Sequence, residues 1–235
     1  MTGIAFHPLF INPRDFEDTD IPAETILDWF EKCDAVWLHN GDPAKPHAEL
    51  VSGKCSNGYF DCPRVLRYPN ICEVLAFQLA KKLKAKGIRP TWVIGSAYAA
   101  ITFSHELAKA MRALHGAVEK DSSDPDQKRM LWRRMAIPAG AKVLQGEELI
   151  TTIGTTREVR RAVTEGNAEP VEFLPIVGTI IHRPVQLPMI YEGLEVVSLV
   201  ERKVWAVEPS ECPLCKAGSK RVKPKTHWAE LTGKA

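Results

Sequence analysis

Lys142-Val143-Leu144-Gln145-Gly146-Glu147-Glu148-Leu149-Ile150-Thr151-Thr152-Ile153-Gly154-Thr155-Thr156 is the stretch on which the fold turns. Lys142-Val143-Leu144 reads as a strand, Gly146 to Gly154 as a loop, and about Thr155 to Glu165 as a helix. Glu147 and Glu148 put two adjacent carboxylates at the strand end, and a run of hydroxyls leads from them into the helix N-terminus. Free N–H groups and the positive end of the helix dipole favour a phosphate there, and threonine hydroxyls add donors. Carboxylates accept hydrogen bonds from sugar hydroxyls and can anchor a hydrated Mg²⁺. The stretch therefore describes a pocket for a sugar phosphate. A plainer account also fits, in which the threonines cap the helix and the glutamates are solvated. Local chemistry leaves both open.

Upstream, Thr91-Trp92-Val93-Ile94 runs into Gly95-Ser96-Ala97-Tyr98-Ala99-Ala100 and then a helix from about Ile101 to Leu114, a second strand–loop–helix unit. Helices alternating with short apolar runs imply an α/β fold with a largely parallel sheet covered on both faces. Ligands in such sheets bind beyond the C-terminal strand ends, so both loops are candidates. Between the units, Lys120 to Arg134 is crowded with charge and reads as a mobile loop, the kind that often forms a lid. Nearer the N-terminus, Asp20 to Ala35 reads as a helix, Ala48–Val51 and Gly58–Asp61 as two strands joined by a polar turn, and a further helix begins at Pro69. Residues 1 to about 20, rich in Pro, Asp and Asn, form an arm laid over the surface.

The chain has 235 residues, enough for one substantial core with a small appendage. Its formal net charge of +2 gives no reason to expect nucleic acid as a partner. No apolar run approaches the roughly 20 residues of a membrane span, and the N-terminus lacks the pattern of a signal peptide, so a cytoplasmic location without membrane contact is expected. The six cysteines then read as thiols. Cys33, Cys55, Cys62 and Cys72 show no metal-ligand spacing. Cys212-Pro213-Leu214-Cys215 does, but as a single pair, with His227 the nearby candidate for a third ligand. Two cysteines in a tight turn, with no metal, is the favoured reading; a zinc-dependent interaction module is the weaker one.

The glutamate–threonine stretch resembles the ribose-phosphate loop of type I phosphoribosyltransferases: apolar strand, two acids, two apolar residues, then Thr-Thr-Gly and a hydroxyl residue. Its neighbours resemble the orotate branch. Glu49 to Asp61, with Ser52-Gly53 and Tyr59-Phe60, is similar to that family's early motif, and Val93 to Ile101 to its pyrophosphate loop. Glu119-Lys120 and Arg133-Arg134 resemble the edges of its catalytic lid. Ile180-Ile181-His182-Arg183 falls where an apolar strand ends in Asp-Arg, and Glu211-Cys212-Pro213-Leu214-Cys215-Lys216-Ala217-Gly218 is similar to a C-terminal segment of one bacterial branch.

The resemblance implies transfer of ribose 5-phosphate from phosphoribosyl pyrophosphate, bound with Mg²⁺, to a nucleobase, orotate. It implies that Lys120 neutralises the departing pyrophosphate, reaching into the partner's site in a homodimer. Glu147 and the catalytic Glu148 hold the ribose hydroxyls and the metal's waters; Thr151, Thr152, Gly154 and Thr155 cradle the 5′-phosphate; Ser96, Ala97 and Tyr98 face the pyrophosphate. Arg183 pairs with the orotate carboxylate, for which its planar fork is suited. Tyr59 and Phe60 lie against the base with Lys54 nearby, although alternation along a strand makes one of the aromatics core.

The expected fold is a type I phosphoribosyltransferase domain over 1–235: a core of 66–194, a central mainly parallel sheet flanked by helices, and a hood from 20–65 and 195–225. Ile153 stands where the family has glycine, and a β-branched residue resists positive φ; one added residue would let Gly154 serve instead. Ala99-Ala100 replaces a glycine pair. A non-catalytic binder of a phosphorylated sugar or nucleotide, or an enzyme for another base, therefore stands beside the orotate reading.

Overall fold

The protein is described by a computed structural model covering residues 7–126 and 128–234. In chain order it forms α1 (Ala23–Lys32), β1 (Val36–Leu38), β2 (His47–Glu49), β3 (Cys55–Ser56), β4 (Gly58–Phe60), α2 (Cys62–Leu66), α3 (Pro69–Ala85), β5 (Trp92–Gly95), α4 (Ala99–Met111) and β6 (Leu114–Ala117). There follow β7 (Glu119–Lys120), β8 (Met130–Leu131), β9 (Lys142–Ile150), α5 (Gly154–Gly166), β10 (Glu172–His182), β11 (Glu195–Glu201), β12 (Ala206–Val207), α6 (Pro213–Lys216), β13 (Arg221–Val222) and α7 (Trp228–Thr232).

The central sheet has the order β11-β10-β9-β5-β6 and is parallel throughout. Apolar side chains leave it on both faces, as the alternation in β5 shows. Val93 joins the larger core with Leu75, Leu79, Phe103 and Leu107 from α3 and α4. Trp92 and Ile94 join Val159, Val163 and Trp132 on the α5 side. Burying two faces makes β5 a short, wholly buried run between helices, and such runs alternating with helices are what mark a parallel arrangement in the sequence.

A second, four-stranded sheet, β12-β3-β2-β13, draws on the early strands and the C-terminal segment and forms a smaller hood than 20–65 with 195–225: β11 is an edge strand of the central sheet, and α1 packs its apolar face into the larger core. The apolar core of the hood is very small: Ala48, Val222 and Leu231 are its buried members among the described residues, with Trp37 and Trp228 packed against them. Two expectations change here. Gly58–Phe60 does not pair with the preceding strand; it runs antiparallel to Val36–Leu38, because Ser56 Oγ donates to Gly58 O and breaks the strand run at Asn57. And Cys212 and Cys215 are not an isolated pair. Cys55 and buried His47 of the hood lie beside them, whereas His227 N-caps α7 and is not in that group.

The arm from His7 to Asp20 lies on α3. Asn70 Nδ2 donates to Pro8 O and Ile11 O, and Gln78 Nε2 donates to Phe16 O and Thr19 O. Residues 1–6 of the expected arm are outside the described residues.

Candidate active site

The strand that carries the acids is longer than expected. β9 continues to Ile150, held by β5 on one side and β10 on the other, with Glu147 opposite Thr179 and Leu149 opposite Ile181. Glu147 and Glu148 are thus strand residues, not loop residues, and neighbours on a strand face opposite sides of the sheet.

Glu147 is 3% exposed. It accepts hydrogen bonds from Ser96 Oγ at 2.6 Å and from Gln145 Nε2 at 2.6 Å. Gln145 is oriented in turn by Arg160, whose Nε donates to its Oε1 at 3.3 Å while the guanidinium also donates to Leu174 O and Ile176 O. Both bonds to Glu147 favour its anion, but burial and then the charge of Glu148 outweigh them and push its pKa up to about 8. Burial also raises Glu148. Its Oε2 is buried and has no hydrogen-bond partner, so it can accept a ligand hydroxyl or the water of a bound cation.

Where β9 ends, Thr151 to Ile153 turn the chain into α5. Ile153 takes φ −87° at the N-cap, an ordinary conformation for a branched residue, and its side chain is buried. Gly154 is likewise not among the positive-φ glycines. The loop therefore requires no left-handed residue, and neither the expected conflict at Ile153 nor the rescue by Gly154 arises. No side chain caps α5, so its first-turn N–H groups are left for a ligand.

At the next strand end, β5 delivers Gly95 and Ser96. Gly95 is needed by close approach: a Cβ there would meet Ser104 Oγ at 2.2 Å. Tyr98 adopts φ +69°, ψ −91°, a strained conformation for a non-glycine residue, and the residue is exposed. Such strain is concentrated at ligand-binding turns. Ala99 and Ala100 open α4 with no demand for glycine.

Among its described residues the lid segment is not an open loop throughout but carries a short antiparallel ladder. Glu119 pairs with Leu131 and Lys120 with Met130. Its turn is closed by Asp121, which accepts from Ser123 N and Oγ, and by Asp124, which accepts from Lys128 N and Arg129 N. The hairpin is tied to α5 through Met130 N to Glu158 Oε1 and Arg161 to Met130 O. A cavity of about 880 Å³ lies between the two, and Lys120, Lys128, Arg129, Thr152, Gly154 and Thr155 line it.

Arg183, Glu148 and Tyr59 gather on the neighbouring side. Arg183 extends the β10 ladder through its N–H to Ile150 O. Its side chain is buried, its Nε has no hydrogen-bond partner, and desolvation lowers its pKa. The Tyr59 phenol and the Cys62 thiol are both close enough to feel that guanidinium, and Cys62 also feels Glu148. Two expected base contacts are not here. Phe60 is 3% exposed and packs edge-on against Phe30 in the main core, so Tyr59 is the outward member of the alternating pair. Lys54 forms a surface ion pair with Glu208 at 3.2 Å.

Cys62, Gln145 and Arg160 neighbour the site without any local pattern that marks them, because each reads alone as ordinary packing. His182 and Tyr191 were also missed. The buried imidazole joins Glu201 at 2.8 Å and Tyr191 Oη at 3.2 Å, and Tyr191 Oη reaches Thr151 O at 3.5 Å. A histidine ending the apolar run Ile180-Ile181, directly before Arg183, is the signal in the sequence.

No protein-family model matches the chain. Curated relatives do. It is 34% identical over 203 residues to the orotate phosphoribosyltransferase of Caldanaerobacter subterraneus subsp. tengcongensis, covering 86% of this chain and 96% of that one. It is 35% identical over 178 residues to the orotate phosphoribosyltransferase of Caldicellulosiruptor bescii, covering 76% and 87%. The chain belongs to the orotate phosphoribosyltransferase family. Among solved structures, Leishmania donovani UMP synthase superposes with a TM-score of 0.56 at 18% identity, over 77% of this chain and 37% of that one. Francisella tularensis orotate phosphoribosyltransferase gives 0.51 at 13%, over 75% and 85%. At such identities the likeness is one of fold, that of the type I phosphoribosyltransferases. No helix among the described residues is long and apolar enough to cross a membrane.

Proposed function

We propose that the protein transfers ribose 5-phosphate from phosphoribosyl pyrophosphate to orotate, giving orotidine 5′-phosphate and pyrophosphate in pyrimidine synthesis. The C1′–O bond to pyrophosphate breaks, a bond from the orotate ring nitrogen to C1′ forms, and that nitrogen loses its proton. Mg²⁺ bound with the donor would screen the phosphate charge, and the buried, partnerless Glu148 Oε2 fits a role in holding its waters or the ribose hydroxyls. The uncapped N-terminus of α5, with Thr151, Thr152, Gly154 and Thr155, would take the 5′-phosphate. Ser96 to Tyr98 would meet the pyrophosphate, and Lys120 would supply the cation its departure requires. The hairpin would keep water out.

The observation that carries the reading is Arg183. A buried guanidinium whose Nε lacks a partner, beside Tyr59 and next to the phosphate loop, calls for a planar anion. Orotate supplies a carboxylate on an aromatic ring, while uracil and the purine bases carry none. A homodimer in which each Lys120 serves the partner's site belongs to the same reading, as does a cytoplasmic setting. In the single chain Lys120 opens on the same cavity as its own Thr152 and Thr155. Mixing Lys120→Ala with Arg183→Ala, assayed at orotate far below the raised KM of the second so that each alone is nearly silent, tests this: activity returns in mixed dimers where the lysine acts across subunits, and no recovery would put it in its own site.

The reading as a whole is tested by pyrophosphate release from phosphoribosyl pyrophosphate with Mg²⁺ and orotate, for the wild type and Lys120→Ala. Release that falls about 10²–10³-fold in the variant, with the fold intact, supports it. Equal rates in the two proteins would remove the lid lysine from the mechanism.

A further inference from the structure

We propose that His47, Cys55, Cys212 and Cys215 form a zinc site that clamps the C-terminal segment to the hood. The inference rests on hood geometry and is independent of the proposed activity. The four side chains come from three separate stretches of sequence, and their ligand atoms all lie within 4.8 Å of one another. Cys215 Sγ is 3.5 Å from Cys55 Sγ and 3.3 Å from His47 Nε2, and Cys212 Sγ is 3.6 Å from the same nitrogen. Zinc bonds of about 2.3 Å to sulfur and about 2.05 Å to nitrogen, at tetrahedral angles, give edges of roughly 3.8 Å for S···S and roughly 3.5 Å for N···S. The observed edges enclose one ion of that size. A disulfide instead needs about 2.05 Å between sulfurs.

The imidazole is held in the tautomer a metal requires. Ser219 Oγ donates its proton to Lys45 O at 2.6 Å, so it can only accept from His47 Nδ1–H, 2.8 Å away. The lone pair is thereby placed on Nε2, which faces the sulfurs; an outer hydrogen bond of this kind is what fixes metal-binding histidines. His47 is fully buried, and among the four only Cys215 is partly exposed. The backbone prepares the sulfurs too. Cys215 N–H donates to Cys212 Sγ at 3.4 Å, and Gly218 at φ +85° turns the chain back toward Ser219.

Three sulfurs and one imidazole are a soft, four-coordinate donor set, suited to zinc rather than to magnesium or calcium. With four protein ligands the site has no open position, so its role is structural. That role matches a need, because the hood sheet has almost no apolar core and small units without one depend on metals or disulfides. Cys55 in β3 lies four residues before Tyr59, which belongs to the adjoining β1–β4 pair, so the ion would hold the hood next to the strand whose ring feels Arg183.

The test is metal analysis of full-length protein purified with reductant and without chelator or immobilised metal. About one zinc per chain is expected. Cys215→Ser should hold less than about a tenth of that and unfold at a lower temperature, whereas His227→Ala should keep its zinc. Should Cys215→Ser fail to fold, wild-type protein titrated with a thiol-reactive mercurial must release zinc in step with thiol modification. Reduced wild-type protein that contains no zinc, and takes up neither Zn²⁺ nor Co²⁺ with tetrahedral thiolate absorption, overturns the proposal. So does a Cys55–Cys215 disulfide in freshly purified protein.

Discussion

Replacing Glu147 by glutamine should make the ligand-free protein more stable at alkaline pH and remove part of its pH dependence. Glu147 is fully enclosed, and burial together with Glu148 raises its pKa from 4.5 to about 8. Between those values the folded protein holds a proton that the unfolded chain releases. Stability from this group is therefore complete below pH 4.5, declines as pH rises through the window, and is lost above about 8. At about 1.36 kcal/mol per unit, the interval sets a ceiling of about 5 kcal/mol, which relaxation and water entry would reduce to a few kcal/mol. Glutamine keeps the shape: its carbonyl can accept from Gln145 Nε2 and its amide can donate to Ser96 Oγ, with no charge to desolvate. Urea unfolding at pH 5, 6.5 and 8.5 reads the effect. The two proteins should be nearly equal at pH 5, with the variant ahead by a few kcal/mol at pH 8.5. Parallel stability curves across the window would refute the assignment of a buried, proton-holding Glu147.

Arg183→Ala should raise the KM for orotate by about 10²-fold with a smaller change in kcat, and should not destabilise the fold, because it removes a buried charge whose Nε has no partner; initial rates at varied orotate and a urea curve decide. Tyr98→Gly should leave stability within about 1 kcal/mol of wild type, since release of positive-φ strain offsets the freedom gained by the unfolded chain, whereas Tyr98→Val should cost more; denaturation midpoints report this. Phe60→Ala should cost about 3–5 kcal/mol as a core cavity, while Lys54→Ala should change stability by less than about 1 kcal/mol and leave orotate binding unaltered.

The β9–α5 unit was legible because its strand is buried on both faces and its helix starts at a run of threonines. The sequence reading ends that strand at Leu144, six residues short of Ile150, for a physical reason. Charged residues ordinarily mark solvent, and nothing near Glu147 in sequence announced Ser96, 51 positions away, as the donor that lets it be buried. Alternation correctly required one of Tyr59 and Phe60 to be core without saying which; the pairing of β4 with β1 and the packing of Phe60 on Phe30 decide it. Lys54 looked functional only by its place in a motif. The ligand atoms of Cys55 and Cys215 meet across 160 residues, a separation at which spacing rules for metal sites carry no signal. Lys120, Arg183 and the Thr151–Thr155 loop could be named as candidates because a short local pattern marks each of them; Lys120 and the loop line one cavity, and Arg183 is buried at the next strand end.

The central claim is orotate-specific phosphoribosyl transfer, and the most direct measurement is pyrophosphate release from phosphoribosyl pyrophosphate and Mg²⁺ with orotate, uracil, hypoxanthine and adenine offered separately. The account predicts release with orotate and none above background with the three bases that lack a carboxylate. Release with another base in preference to orotate, or with none from folded protein that still binds the sugar phosphate, would contradict it.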